Sequence, residues 1–156
     1  CDEGRIRNVD GTQRILGETM GIRLDHIGIA VNELESGSVF WNILGLEMQG
    51  DELNEEQGVN IRFFGTEPSS EGARIELLSP TSEDTPIGKF LQQRGPGIQQ
   101  IAFRVDDLQG LLERLKSEGV RLINETPTVG AHGSQIAFVH PSSTGGVLVE
   151  LLQYDD

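Results

Sequence analysis

Hydrophobic and polar positions along the chain follow one pattern that occurs twice. Residues 24–31 and 98–105 are rich in apolar and β-branched side chains, which favours strands. Helical spacing follows each stretch, over 34–43 and 108–118, and a glycine at 45 and at 119 is typical of a helix end. Each half then predicts three more strands, at 46–50, 59–65 and 74–78 in the first and at 121–124, 135–140 and 147–153 in the second.

The two halves align without a gap when the sequence is shifted by 74 residues, which places His26 on Gln100 and Phe64 on Phe138. This register indicates an internal duplication. It predicts an α+β fold of two tandem β-α-β-β-β modules, about 24–80 and 98–153, related by a pseudo-two-fold axis around a shared cleft. We expect Phe40 and Trp41 in the core. The loops are predicted at 51–57, 66–72, 81–86 and 127–133.

Residues 1–21 show neither a period of two nor a period of 3.6. We interpret them as an N-terminal extension or as residues of expression origin. The patterned sequence begins at Ile22, so a single domain is predicted over 22–156.

Composition narrows the classes of partner. The chain of 156 residues has 25 acidic and 12 basic side chains, a net charge of −13 with neutral histidine, which argues against nucleic acid as a partner. Apolar runs are far shorter than the roughly 18 residues of a membrane span, so no membrane partner is expected. The single cysteine, Cys1, excludes an internal disulfide and a cysteine-based zinc site, and suits a cytoplasmic protein.

Two glutamates interrupt apolar strands at equivalent positions. Glu76 follows His26 by 50 residues, and Glu150 follows Gln100 by the same interval. A glutamate buried without a partner is costly, so its recurrence in both halves favours a function. If a pseudo-two-fold axis relates the halves, the four side chains converge on one point. One imidazole and up to three oxygen donors suit a divalent ion, with cobalt, nickel, manganese, magnesium and zinc all compatible.

These residues resemble the vicinal oxygen chelate (glyoxalase/bleomycin resistance) superfamily and, within it, the methylmalonyl-CoA epimerase family. The resemblance covers residues 24–153. Its most specific parts are the run from IELLSP (75–80) to GKFL (88–91) and the loop GAHG (130–133). Other matching stretches are LDHIGIAV (24–31), FVHP (138–141) and TGGVLVEL (144–151).

The resemblance implies metal-dependent epimerisation of methylmalonyl-CoA through a metal-stabilised enolate. It assigns His26, Glu76, Gln100 and Glu150 as metal ligands, with Glu150 and Glu76 also as the catalytic acid and base. Cobalt is the first choice of metal, the substrate is an acyl-CoA, and the protein is expected to be a homodimer. The implied substrate-binding residues are Lys89, Arg94, Gly130, His132 and Gly133.

Two departures from the family pattern keep alternatives open. Gln100 stands where the family has a histidine ligand, and Ser142 stands where it commonly has a lysine. A ligand set of one histidine, one glutamine and two glutamates also occurs in glyoxalase I. The alternatives are therefore a glyoxalase-I-like lyase, another metal enzyme of the superfamily, and a non-catalytic protein that binds a small molecule.

Overall fold

The computed structural model of the chain describes residues 5–7, 13–15, 21–66 and 72–155. Its strands in these residues are β1 (Arg5–Arg7), β2 (Gln13–Ile15), β3 (Ile22–Ala30), β4 (Glu47–Asn54), β5 (Val59–Gly65), β6 (Arg74–Pro80), β7 (Gly97–Val105), β8 (Thr128–Val129), β9 (Gln135–Val139) and β10 (Leu148–Gln153). Its helices are α1 (Leu34–Leu44), α2 (Pro86–Arg94) and α3 (Leu108–Ser117). No helix within the described ranges is long and apolar enough to cross a membrane.

The strands β3 to β10 form one curled mixed sheet in the order β4-β5-β6-β3-β7-β10-β9-β8. The first and last strands of each module are parallel, and the modules meet through the antiparallel pair of β3 and β7. From this central pair outwards, the two modules therefore have the same strand order, β3-β6-β5-β4 in the first and β7-β10-β9-β8 in the second. This arrangement confirms the predicted α+β fold of two β-α-β-β-β modules.

The two faces of the sheet have different chemistry, as the period of two along β6 predicts. Ile75 and Leu77 point to the face covered by α1, where they pack in an apolar cluster with Phe64. Arg74, Glu76 and Leu78 line a cleft on the other face. In the second module α3 covers the same face as α1, through buried Leu108 and Leu112.

The predicted strand at 121–124 is wrong. The structure has an isolated bridge between Leu122 and Val139, and the edge strand of the second module is β8. The backbone N–H groups of Ile123 and Asn124 both point to the carbonyl oxygen of Phe138. The Phe138 N–H donates to the side-chain oxygen of Asn124 rather than to a backbone carbonyl. A side chain thus replaces the ladder bond that would have continued the strand.

The loop predicted at 51–57 starts too early, because β4 pairs with β5 as far as Asn54. The residues at the end of β4 are polar and mostly exposed, so they do not show the alternation of apolar and polar side chains that predicts a strand. The turn proper is closed by the Gly58 N–H on the Glu55 carbonyl, with Gly58 at φ 66°, a left-handed conformation that glycine adopts without strain. Helix α2 was not predicted, although Thr85 caps it and Pro86 occupies its first turn, a recognisable start signal.

The core prediction fails for Phe40, which is 61% exposed on the outer side of α1. Trp41, one residue further along the helix, is half-buried against the cluster under α1. Adjacent residues on a helix point about 100° apart, so only one of the two faces the sheet. Within residues 1–20, β1 and β2 pair as a short antiparallel ribbon that the sequence pattern did not predict, since three residues are too few to show a period. The remainder of that segment lies outside the described residues.

Candidate metal centre

His26, Glu76, Gln100 and Glu150 meet on the cleft face of the four central strands. The Nδ1 atom of His26 lies 2.9 Å from Glu76 Oε2, and its Nε2 atom lies 3.1 Å from Glu150 Oε2. The carboxamide nitrogen of Gln100 donates to Glu150 at 2.8 Å and lies 3.2 Å from His26 Nε2. All four residues are buried, at 3% to 8% exposure. The structure thus brings the four residues together, and their role as metal ligands stays a prediction.

A β-bulge in β3 adds Asp25 to this group. Leu24 pairs with Phe103 and His26 with Ala102, which leaves Asp25 as an extra residue on β3. A bulge turns a side chain away from the face that strict alternation would give it. Asp25 Oδ2 accordingly lies 2.7 Å from His26 Nδ1. Ligand atoms of Asp25, His26 and Glu76 are close enough to share one ion, so Asp25 is a candidate that the period-two pattern missed.

The equivalent bulge occurs in β7, 74 residues later. Gly28 pairs with Gln100 and Ile29 with Ile98, so Gln99 is the extra residue. Asp25 and Gln99 therefore occupy matching positions in the two modules, each directly before a candidate ligand. Both lie on strands that line the cleft and its flanks.

An arginine and a tyrosine support the Nδ1 side of the imidazole. Arg74 Nη2 lies 3.4 Å from Asp25 Oδ2 and 3.8 Å from Glu76 Oε2, and it donates to the Tyr154 hydroxyl at 3.1 Å. Burial raises the pKa of Tyr154, so its hydroxyl stays protonated at neutral pH. This chain of contacts holds Asp25 against His26.

The carboxylates of the centre determine the protonation of His26. Burial alone would lower the pKa of His26, but hydrogen bonds from its ring to Asp25, Glu150 and Glu76 outweigh it and raise the pKa to about 12. Burial raises the pKa of Glu150, and its contacts with His26 oppose the shift without cancelling it. With no metal bound, the centre is a buried imidazolium among carboxylates.

Comparison with known proteins identifies the family. Residues 25–138 match the Glyoxalase/Bleomycin resistance protein/Dioxygenase superfamily. The ethylmalonyl-CoA/methylmalonyl-CoA epimerase of Cereibacter sphaeroides is 38% identical over 84% of this chain and 97% of its own length. The chain belongs to this superfamily and, within it, to the methylmalonyl-CoA epimerase family.

Solved structures of epimerases share the fold. Methylmalonyl-CoA epimerase from Mycobacterium tuberculosis has a TM-score of 0.79 and 42% identity, covering 85% of this chain and 88% of that one. A Streptomyces coelicolor methylmalonyl-CoA epimerase variant in complex with 2-nitronate-propionyl-CoA has a TM-score of 0.78 and 38% identity, covering 84% and 93%. Membership of the epimerase family makes this chain an epimerase-type isomerase.

In this epimerase-family chain the four candidate metal ligands line a cleft of about 290 Å³. A groove of about 750 Å³ lies next to the cleft, between α2 and the starts of β7 and β10. Gln99, Pro86, Ile123 and Leu148 line both spaces. Lys89 and Arg94, two of the predicted substrate-binding residues, line the groove rather than the cleft.

The predicted loop residues Gly130, His132 and Gly133 lie beside the cleft, which their neighbour Ala131 lines. His132 adopts a left-handed conformation with φ 56°, and its ring packs against Phe63 at 4.6 Å between centroids. Position 130 has room only for glycine, because a Cβ there would lie 2.4 Å from a side-chain carbon of Ile136. The loop thus belongs to the second module but contacts the first module through the packing of His132 on Phe63.

Sequence reasoning did not select several polar residues close to the four candidate ligands, among them Asp25, Arg74, Tyr154 and Gln99. A bulge leaves no mark in a hydrophobicity pattern, so strict alternation assigns Asp25 and Gln99 to the wrong face. One signal was present in the duplication. Each of these two residues directly precedes a candidate ligand, and the polar pair recurs at the interval of 74.

Proposed function

We propose that this chain catalyses metal-dependent epimerisation at the α-carbon of methylmalonyl-CoA. The observation that carries the proposal is the convergence of one imidazole, one carboxamide and two carboxylates in the cleft, in a member of the epimerase family. Epimerisation exchanges the α-hydrogen between the two faces of the carbon, so it needs an acid and a base that flank the substrate.

The donor set fits a divalent ion. Glu76 and Glu150 are 3% and 7% exposed, and Asp25 adds a third carboxylate. Once His26 loses its proton to act as a ligand, Arg74 alone does not compensate these carboxylates, and a divalent ion would supply the missing positive charge. Rotation of the Gln100 carboxamide by half a turn presents its oxygen where its nitrogen now lies. Cobalt is our first choice, and nickel, manganese, magnesium and zinc fit the same donors. A bound ion would act as a Lewis acid on the thioester carbonyl and acidify the α-hydrogen.

Glu150 and Glu76 are the acid and base of this proposal. They approach the same imidazole from β10 and β6 and contact different ring nitrogens. Glu150 removes the α-hydrogen, and because burial raises its pKa, it holds the proton more strongly than an exposed carboxylate would. Glu76, which starts the cycle protonated, gives its proton to the other face of the resulting enolate. The two carboxyl groups thereby exchange protonation states, and proton exchange with solvent restores the starting state. His26 stays in place through its contact with Asp25.

The groove beside the cleft suits the coenzyme A part of the substrate. Its floor includes Phe90, Ile101 and Val147, and its rim carries Lys89 and Arg94. Among the described residues that line it, none is acidic, in a chain whose net charge is −13. An apolar floor with cations at the rim complements a pantetheine arm that ends in phosphates.

The test is deuterium uptake into methylmalonyl-CoA in heavy water, followed by mass spectrometry. Metal-stripped protein is compared with protein reloaded with cobalt or nickel, and with a sample lacking protein. We expect rapid uptake only with metal, and a fall of about 100-fold or more in Glu150→Gln, because positioned general bases contribute that much. Glu113→Gln, at a helix-surface position outside the site, is the matched control and should exchange at the wild-type rate.

Absence of uptake above the protein-free control with every metal would overturn the proposal. Uptake that persists in Glu150→Gln at the wild-type rate would remove the base role from Glu150. The same samples are assayed with methylglyoxal and glutathione. Lyase activity without α-hydrogen exchange would assign the chain to the glyoxalase-I-like alternative, whose histidine, glutamine and two glutamates match this ligand set.

We further propose that the protein acts in the cytoplasm as a homodimer. The single cysteine suits a reducing compartment such as the cytoplasm, and the resemblance to the epimerase family supports the dimer. Sedimentation equilibrium tests the dimer directly, and a mass equal to one chain at micromolar concentration would contradict it.

A further inference from the structure

Arg74 and Tyr154 are polar residues of the cleft that lie outside the candidate ligand set. Both line the cleft, and Arg74 is the only lysine or arginine among the described residues that do so. The Arg74 side chain is 17% exposed and Tyr154 is half-buried, so both keep accessible surface. Arg74 Nη2 donates to the Tyr154 hydroxyl at 3.1 Å. A cation and a hydroxyl thus lie side by side on the cleft wall, and we call them the Arg74–Tyr154 pair.

The contacts of Arg74 hold its guanidinium in place without exhausting its donors. Its Cζ atom lies 5.2 Å from the centre of the Phe63 ring. Asp25 Oδ2 and Glu76 Oε2 lie 3.4 and 3.8 Å from Nη2. Both distances exceed the roughly 2.7–2.9 Å of a charge-assisted hydrogen bond. These contacts involve one of three guanidinium nitrogens, and an arginine has five N–H donors in a planar fork that fits a further carboxylate.

Tyr154 adds an uncharged donor next to this fork. Because its oxygen accepts a hydrogen bond from Arg74, its own hydrogen is directed away from the guanidinium. Burial raises the pKa of Tyr154, so the hydroxyl keeps that hydrogen at neutral pH. The guanidinium of Arg104 lies over the Tyr154 ring, with 4.8 Å between Cζ and the ring centre. Tyr154 therefore lies between two cations, which favours an anion as the acceptor of its hydrogen bond.

A second space next to the cleft adds to the positive charge around the pair. It measures about 590 Å³ and shares Arg74 and Tyr154 with the cleft. Arg23 and Arg104, which pair with each other across β3 and β7, line it as well. The chain has 12 basic residues and a net charge of −13, so three arginines around one tyrosine form a local site of positive potential.

The proposed substrate carries an anion close to its reacting carbon. In a malonyl thioester the carboxylate and the thioester carbonyl are bonded to the same α-carbon. Arg74 Nη2 is 3.8 Å from the candidate ligand Glu76, so the Arg74–Tyr154 pair adjoins the metal centre. A carboxylate bound by the pair would belong to an acyl group whose α-carbon lies beside the proposed acid and base.

We propose that Arg74 and Tyr154 bind the free carboxylate of the acyl group and thereby select malonyl-type thioesters over simple acyl thioesters. The inference rests on the proposed function and assigns its specificity for a carboxylate to two residues. Arg74 supplies the charge, and Tyr154 supplies a second hydrogen bond that fixes the orientation of the carboxylate.

The experiment measures dissociation constants by calorimetry for two unreactive ligands. S-(2-carboxyethyl)-CoA is a thioether whose carboxylate is as many bonds from sulfur as that of malonyl-CoA. S-(3-methylbutyl)-CoA has methyl groups in place of the carboxylate oxygens. In Tyr154→Phe, which keeps the ring, we expect about tenfold weaker binding of the carboxylate ligand and less than about twofold change for the alkyl ligand. Arg74→Gln should show the same selective loss.

Arg114→Gln is the matched control, because it removes the same charge from an exposed position on α3, which covers the opposite face of the sheet. It should leave both dissociation constants unchanged. Equal weakening for both ligands in Tyr154→Phe would reveal a structural role and overturn the proposal. Unchanged affinity for the carboxylate ligand would overturn it too, since the metal alone would then hold the carboxylate.

The binding measurement is run on cobalt-loaded and on metal-stripped protein, and it needs no turnover. A selective loss in both forms is expected, because the pair acts through its own donors. Absence of deuterium exchange in the wild type overturns the proposed function instead, while the selective loss of affinity in Tyr154→Phe still decides the role of the pair.

Discussion

Two adjacent pairs of residues, Asp25–His26 and Gln99–Gln100, give the site its chemistry. A bulge lies at each pair, at the extra residue Asp25 in β3 and at the extra residue Gln99 in β7. The first pair is complete within the chain, because Asp25 hydrogen-bonds His26. In the second pair the buried Oε1 atom of Gln99 has no hydrogen-bond partner among the described residues. The matching positions of the duplication thus have different hydrogen-bond partners in the two halves.

Metal binding should release a proton from His26. Contacts with Asp25, Glu150 and Glu76 raise the pKa of His26 to about 12, so the metal-free protein holds imidazolium at neutral pH. A metal ligand must be neutral imidazole, and the ion has to displace this proton. Calorimetry in buffers of different ionisation enthalpy should therefore report about one proton released per cobalt ion at pH 7.

The sign of the pH dependence follows from the same shift. Since protons compete with the ion, cobalt affinity should rise between pH 6 and pH 8. In the metal-free protein the raised pKa of His26 has the opposite effect on folding stability, which falls as the pH rises. The stability it contributes is complete below the unfolded value of 6.5 and is lost as pH rises towards 12. Cobalt binding with no proton release would contradict the ligand role of His26.

At the scale of elements, Arg62 joins α1, β4 and β5. Its guanidinium donates to both carboxylate oxygens of Asp51 at 2.8 and 2.9 Å, to Glu35 at 2.9 Å, and to the Ser38 hydroxyl at 3.1 Å. Arg62 is only 8% exposed, and these contacts compensate its charge on a strand whose side chains are mostly apolar. The first module is held together here by charge as well as by its apolar core.

Arg62→Met should lower the free energy of unfolding by about 1–2 kcal/mol, because the hydrogen bonds are lost and exposure of Glu35 and Asp51 screens part of their value. Urea denaturation measures the change. The hydrogen bond from Arg62 lowers the pKa of Asp51, so this stabilisation is present above about pH 4 and lost as pH falls through the lowered pKa.

The difference between wild type and Arg62→Met should therefore shrink on acidification below pH 4. Lys116→Met is the control, because Lys116 and its partner Glu125 are each 63% exposed. Such a pair contributes little, and the variant should unfold like the wild type. If the free energy of unfolding fell as much in Lys116→Met as in Arg62→Met, the contacts of Arg62 would contribute no more to stability than an exposed ion pair.

At the scale of the whole molecule, charge is distributed unevenly. The chain has a net charge of −13, yet Lys89 and Arg94 flank a groove without acidic lining among its described residues. A local cationic rim on an acidic protein attracts anions to one place and repels them elsewhere. If the chain acts on methylmalonyl-CoA as proposed, the phosphates of coenzyme A would meet this rim.

The double variant Lys89→Gln/Arg94→Gln should raise KM for methylmalonyl-CoA about tenfold and leave KM for methylmalonyl-pantetheine unchanged, because only the former carries the nucleotide phosphates. Steady-state exchange rates at low salt measure both. Lys116→Gln, remote from the groove, is the control and should change neither. Equal increases on both substrates would contradict the phosphate role of the rim.

Much of the fold could be predicted from the sequence, because the duplication shows the same strand and helix pattern twice. Strand β5 was predicted at its observed bounds, and β3, β6, β7 and β10 differ from prediction by at most two residues at either end. These strands are central or buried, so their apolar period is strong. The errors lie at the sheet edges. The Asn124 side chain accepts the hydrogen bond that would have continued the strand predicted at 121–124. In β4, exposed polar residues such as Asp51 belong to a strand although the sequence there predicts a loop.

The sequence alone determined the duplication, the cleft face of each inner strand, and the convergence of His26, Glu76, Gln100 and Glu150, since these depend on periods and intervals within the chain. Only the tertiary structure decided the places of Asp25 and Gln99, the chain of contacts through Arg74 and Tyr154, and the groove that α2 forms with β7 and β10. A bulge depends on how two strands register against each other, and a groove depends on how a helix packs across them. Neither leaves a period in the sequence.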